Sequence, residues 1–121
     1  MDASDDCPCG SGFSYGDCCG RLHDGEAFAA TAEQLMRSRY SAFALGDAAY
    51  LEETWHPDTR PRTVELGDGL EWLSLQIVYA GDDEVEFVAR FRGPGGRGFV
   101  RERSKFVQYD GRWVYLAPAE D

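Results

Sequence analysis

Apolar positions recur first at helical spacing and later at strand spacing. Leu35, Met36, Tyr40, Phe43 and Ala44 fall close to one face at a period of 3.6, and Thr31-Ala32-Glu33-Gln34 ahead of them has the form of a capping box. A helix is predicted from about residue 32 to 45. Gly46 provides its stop, and Asp47 caps a second short helix running through Tyr50 and Leu51 to about Thr54, ended by the His56-Pro57 step. After an irregular stretch containing Pro57, Pro61, Gly67 and Gly69, the period falls to 2. Leu73, Leu75, Ile77 and Tyr79 alternate with Ser74, Gln76 and Val78, and after a Gly81-Asp82-Asp83 turn Val85, Phe87, Ala89 and Phe91 alternate with Glu84, Glu86, Val88 and Arg90. Gly93 to Gly98 reads as a loose hairpin loop, residues 99 to 109 as a third strand, Asp110-Gly111 as a tight turn and Arg112 to Leu116 as a fourth strand.

Helices followed by a meander define an α+β plan, with a curved antiparallel sheet packed around N-terminal helices. Such a sheet leaves a conical hollow beside the helix. On the third strand, Val100, Glu102, Ser104 and Phe106 are the predicted inner face, and Phe99, Arg101, Arg103, Lys105 and Val107 the outer one. The region from residue 1 to 26 lacks this periodicity and is rich in Gly, Cys and Asp, so the expected division is a small element at 1–26 and the α+β domain at 27–121.

Composition narrows the function classes. The chain has 121 residues, 43% hydrophobic and 28% charged, which suits one compact domain with a small appendage. Twelve basic against 22 acidic residues give a net charge of −10, and Lys105 is the sole lysine. Arg90, Arg92, Arg97, Arg101 and Arg103 cluster, but Glu84, Glu86 and Glu102 are interleaved, so no nucleic-acid partner is expected. The N-terminus has no basic and apolar leader pattern, and no run approaches the ~18 apolar residues of a membrane span, so a cytoplasmic protein with no membrane partner is expected.

A reducing compartment changes how the cysteines read. Cys7, Cys9, Cys18 and Cys19 are all the cysteines in the chain, spaced C-x-C, eight residues, C-C. Adjacent cysteines rarely bridge each other, the C-x-x-C of redox sites is absent, and iron–sulfur chains usually space their ligands differently. Two close pairs on short arches suit one tetrahedral structural Zn²⁺ per chain. Gly10, Gly12, Gly16 and Gly20 are expected to permit positive φ and to turn amides toward the sulfurs. A segment with so little core would draw most of its folding free energy from the metal, about 10 kcal/mol or more. His23 is expected to be a surface or bridging residue, because four cysteines already complete the coordination shell.

The stretch from Cys7 to Gly20 resembles the SEC-C motif, the small zinc-binding element at the C-terminus of the SecA preprotein translocase ATPase and in many bacterial proteins. Its loop here reads Phe13-Ser14-Tyr15-Gly16-Asp17, where the translocase element is lysine-rich. Leu35 to Phe43, Tyr50-Leu51, Thr54-Trp55-His56-Pro57, Glu102 to Phe106 and Trp113 with Tyr115 are together similar to the YchJ family of uncharacterised bacterial proteins. The resemblance covers nearly the whole chain and implies an NTF2-like cone.

Two functions follow as expectations. One is a non-enzymatic adaptor in which the zinc element displays a surface to a protein partner, with a filled cone and Glu102 tied to an arginine such as Arg39. The other is a small-molecule binder or acid–base enzyme, with Glu102 and His56 as candidate catalytic groups in an open cone walled by Tyr40, Trp55, Trp72, Phe91, Ser104 and Trp113. Against these roles, His56 can instead cap helix carbonyls, and the tryptophans can be core. NTF2-like sheets often dimerise through the open face, so a homodimer is possible.

Overall fold

The computed structural model describes residues 2–64, 66 and 69–119. Gly67, assigned above to the irregular stretch, lies outside them. The first ordered features are a single 3-10 turn at Tyr15–Asp17 and a short helix α1 (Cys19–His23), neither of which has a periodic apolar pattern. Helix α2 follows (Ala32–Leu45), then α3 (Ala48–Glu53).

Local chemistry explains where α2 begins and ends. Thr31 is extended, and its side chain accepts the Gln34 amide at 3.1 Å. Gln34 reaches back to the amide of Ala30, at 2.6 Å, rather than to that of Thr31, so the capping box closes one residue further out. Gly46 takes the left-handed conformation at φ 78° and ends the helix. Asp47 accepts the Tyr50 amide at 3.1 Å and starts α3.

Strands β1 (Glu71–Ala80), β2 (Glu84–Gly93), β3 (Gly96–Tyr109) and β4 (Arg112–Pro118) form one antiparallel sheet in the order β1-β2-β3-β4. Two details differ from the sequence reading. Ladder pairing runs on to Gly93 opposite Gly96, leaving only Pro94 and Gly95 in a tight turn. Glycines carry no side chain to mark a face, so alternation gives no signal of how far a ladder extends into such a segment. The alternation of β1 is also broken, by register shifts between Trp72 and Ser74 and between Ile77 and Tyr79. These shifts turn Trp72, Leu75 and Ile77 inward and leave Leu73 and Tyr79 exposed.

Helix α2 lies against β1, β2 and β4. After α3 the chain closes onto β4: the Tyr115 amide donates to Thr54 O and the His56 amide donates to Tyr115 O, both at 2.8 Å. The outer face of the sheet carries cross-strand ion pairs, Arg92 with Glu71, Arg101 with Glu86 and Arg103 with Glu84. No helix among the described residues is long and apolar enough to cross a membrane.

Thr31→Ala is expected to lower stability by about 1 kcal/mol. A lower urea midpoint at unchanged slope, with metal loading held constant, would show it.

Candidate functional site

The cysteine cluster and the cone flank α2 on opposite sides. At about 100° per residue, Met36, Arg39, Tyr40 and Phe43 cover one side of the helix and Arg37, Ser38 and Ser41 the other.

On the second side, a short bridge between Asp6 and Ser14 folds the loop back, and the adjacent turn and α1 bring Cys18 and Cys19 up to Cys7 and Cys9. All four Sγ atoms lie within 4.8 Å of one another. Cys9 and Cys18 sulfurs are 3.7 Å apart and those of Cys18 and Cys19 are 3.9 Å apart. A disulfide would need about 2.05 Å. A tetrahedron with metal–sulfur arms of about 2.3 Å has sulfur–sulfur edges of about 3.8 Å, so the donor set fits one tetrahedral metal ion.

The thiols perturb one another. The Cys7 thiol is pulled far down by hydrogen bonds from Cys19 and then Cys9, while Cys19 is pushed up first by its contact with Cys7. Burial raises Cys18. Four sulfurs this close cannot all ionise without a cation among them. Backbone N–H groups that favour the Cys7 thiolate come from Cys9 and Cys19, not from the glycines. Gly10 and Gly12 do take positive φ, at 79° and 90°. Gly20 has another role: a Cβ there would lie 2.7 Å from the Tyr15 carbonyl oxygen, so no side chain fits where α1 crosses the turn.

The element is fastened to α2 by polar contacts. Cys7 Sγ is 3.6 Å from Ser41 Oγ, and Arg37 Nη1 donates to Cys9 O at 2.8 Å. His23 bridges the two parts: Nε2–H donates to Ser38 O at 2.8 Å, leaving Nδ1 to accept the Tyr15 hydroxyl at 2.7 Å. Its ring packs 4.6 Å from that of Tyr50. Cys7, Cys9 and Cys19 join the same apolar cluster as Leu35, Tyr40, Phe87 and Phe106.

On the first side of α2 lies an open cavity of about 330 Å³. Tyr40, Trp55, Trp72, Glu102 and Ser104 line it, together with Arg39, Phe43, Phe87, Val100 and Tyr115. Phe91 does not line it; its ring packs behind Trp72 at 5.6 Å. Trp113 also lies elsewhere, because it sits two residues nearer the hairpin than Tyr115, beside a separate small hollow with Leu22 and Phe28. His56 is outside the cone as well. Its Nδ1 accepts the Asp58 amide at 3.0 Å and its ring packs on Tyr109 at 4.9 Å, so it braces the turn after α3 rather than capping helix carbonyls.

Among the described residues Glu102 makes no ion pair with an arginine. Its Oε2 accepts Ser104 Oγ at 2.5 Å and the Tyr115 hydroxyl at 3.1 Å. Burial, and then the Glu102 charge, push the Tyr115 phenol up, and burial raises Tyr40 to about 12. Arg39 is 4% exposed. Its Nη1 donates to Leu51 O at 2.9 Å and to Thr54 Oγ1 at 2.7 Å, and its guanidinium carbon sits 5.0 Å from the ring centres of both Trp55 and Tyr115. The Trp55 indole N–H is buried with no partner among the described residues. Sequence reasoning named Arg39 as an ion-pair partner, not as a wall of the cavity. The signal was its position between Met36 and Tyr40 on the apolar stripe of α2.

Residues 31–118 match the family model described as YchJ, middle NTF2-like domain. The chain belongs to the YchJ family. Its α+β architecture is therefore the NTF2-like cone with a cysteine element at the N-terminus. A UPF0225 protein of Deinococcus radiodurans is 57% identical over 94% of this chain and 88% of its own length. UPF0225 protein SCO1677 of Streptomyces coelicolor is 50% identical over 90% of each chain. Among solved structures, the SEC-C motif containing protein RPA3114 of Rhodopseudomonas palustris is 37% identical, with a TM-score of 0.79 over 95% of this chain and 98% of that one. A SEC-C motif containing protein of Psychrobacter arcticus is 29% identical, with a TM-score of 0.80 over 100% of this chain and 86% of that one. The cysteine cluster of this YchJ-family chain, like its relation to SEC-C proteins, is compatible with metal binding.

His23→Ala removes the bridge and leaves the Ser38 carbonyl and the Tyr15 hydroxyl without that partner. Amide exchange over residues 15–23 is expected to quicken about tenfold at unchanged metal content.

Proposed function

We propose that this YchJ-family chain is a zinc-stabilised binding protein for a small organic molecule, with the cone as the ligand site and the four cysteines as a structural centre. The observation that carries the ligand reading is the open cavity of about 330 Å³, walled by aromatic side chains with Arg39, Glu102 and Ser104 among them. Mostly apolar walls with a few convergent polar groups are the usual form of a small-molecule site, and this volume is near the small end of the range. The adaptor reading rests on a metal site with no open coordination position; a filled cone with Glu102 bonded to arginine would have favoured it, and the cone is open with Glu102 held by Ser104 and Tyr115.

Zinc is supported by four cysteine sulfurs within 4.8 Å of one another, a donor set that would fill a tetrahedral shell and leave no coordination position open for chemistry. Its part is to lock the N-terminal element against α2. Four cysteines that form no disulfide suit a reducing compartment, which supports a cytoplasmic location. A protein-contact role keeps one observation in its favour: Phe13, in the loop between the cysteine pairs, is 65% exposed.

The test combines metal analysis with proton–nitrogen correlation spectra of the full metal-loaded chain titrated with small aromatic fragments. One zinc ion per chain is expected, with shifts confined to cone residues and lost in Val100→Trp, which places a large ring at the mouth. Iron in place of zinc would overturn the metal assignment. Absent shifts, or shifts unaffected by Val100→Trp, would overturn the ligand site and favour the protein-contact role.

A further inference from the structure

Arg39 presents a problem that its own contacts do not solve. A guanidinium has five N–H donors in a fixed fork, and a buried one ordinarily faces a carboxylate. Here Nη1 alone is engaged, by Leu51 O and Thr54 Oγ1. The edge formed by Nε and Nη2 donates to nothing among the described residues, although Arg39 is 4% exposed and lines the cavity. Glu102 shares the same cavity without contacting it, since Ser104 and Tyr115 hold its Oε2. Trp55 and Tyr115 flank the guanidinium and fix its plane. Burial pulls the group down to about 10, which leaves it charged at neutral pH.

Resting on the reading of the cone as a ligand site, we propose that the ligand is a small aromatic carboxylate, held by its carboxylate on the Nε/Nη2 edge of Arg39 and by its ring among Tyr40, Phe43, Trp72 and Phe87. Three features of the site fit this class. The free edge of the guanidinium matches the two oxygens of a carboxylate in a bidentate pair. A positive charge that the protein leaves without a contacting anion gains most from a ligand that supplies one. Tyr40 and Phe43 both pack against Trp72, at 6.2 and 6.3 Å, so the wall beyond the charge is aromatic and suits a flat ring. The same edge would find no acceptor pair of that geometry on a neutral hydrocarbon.

The test compares phenylacetate with phenylacetamide, which share ring and length and differ in charge, by calorimetric titration into the zinc-loaded full chain. Phenylacetate is expected to bind about 10- to 100-fold more tightly than the amide. The preference should disappear in Arg39→Met, which keeps an unbranched apolar stem. If that variant does not fold, the Arg39 Nε–H resonance of the wild type gives a second reading: it should move with phenylacetate and stay in place with phenylacetamide. Equal binding of acid and amide would overturn the carboxylate assignment while leaving the cone as a ligand site. Failure of both compounds to bind the cone, with other aromatic fragments still shifting cone residues, would overturn the assignment alone. Failure of every fragment would overturn the ligand reading with it.

Discussion

One 14-residue helix has to serve two different environments, and most of the molecule is arranged by how it does so. On one side of α2 the residues that matter are polar. Ser41 faces Cys7, the Ser38 carbonyl accepts a hydrogen bond from His23, and Arg37 donates to the carbonyl of Cys9. On the other side they are large, and they form the wall of the cone. This explains why the helix is buried nearly all round although its composition is only weakly apolar: Ser38 and Ser41 are fully enclosed, and Arg39 is almost so. The two serines can be buried there because each finds a partner: Ser41 Oγ meets Cys7 Sγ, and Ser38 Oγ donates to Leu35 O while meeting the Tyr50 hydroxyl.

The arrangement gives the cysteine element a role beyond its own segment. The N-terminal element contributes cysteines to the same apolar cluster as Tyr40, Phe87 and Phe106, so what holds the element also covers one side of the main core. Its polar contacts reach α2 within a turn of residues that line the cavity. A metal ion held by the four cysteines would thereby brace the helix on which Arg39 stands, from the side opposite the cone.

The cone itself departs from a packed core in an informative way. Hydrophobic burial would normally fill such a space, and a lone buried guanidinium is among the more expensive things to place there. The protein lowers that cost with two hydrogen bonds from Nη1 and two flanking rings, and keeps the other edge of the group open. Glu102, which has the right charge to neutralise it, is instead held by a serine and a tyrosine.

The sequence by itself determined the elements and marked the cysteine cluster, because those depend on neighbours along the chain. The 3.6 period with its caps set α2 to within a residue, and the period of 2 located the strands, since side-chain direction follows spacing directly. Four cysteines in two close pairs named a single centre for the same reason. Only the tertiary structure decided which aromatic residues wall the cone. Register shifts in β1 turned Trp72 inward, Phe91 ended up behind it, and Trp113 fell two residues short of the position that Tyr115 occupies. It also decided the partners of Glu102 and the contacts of Arg39. Both depend on how a strand and a helix far apart in sequence meet across a few ångströms, and alternation gives the face of a residue but not the group that stands opposite it.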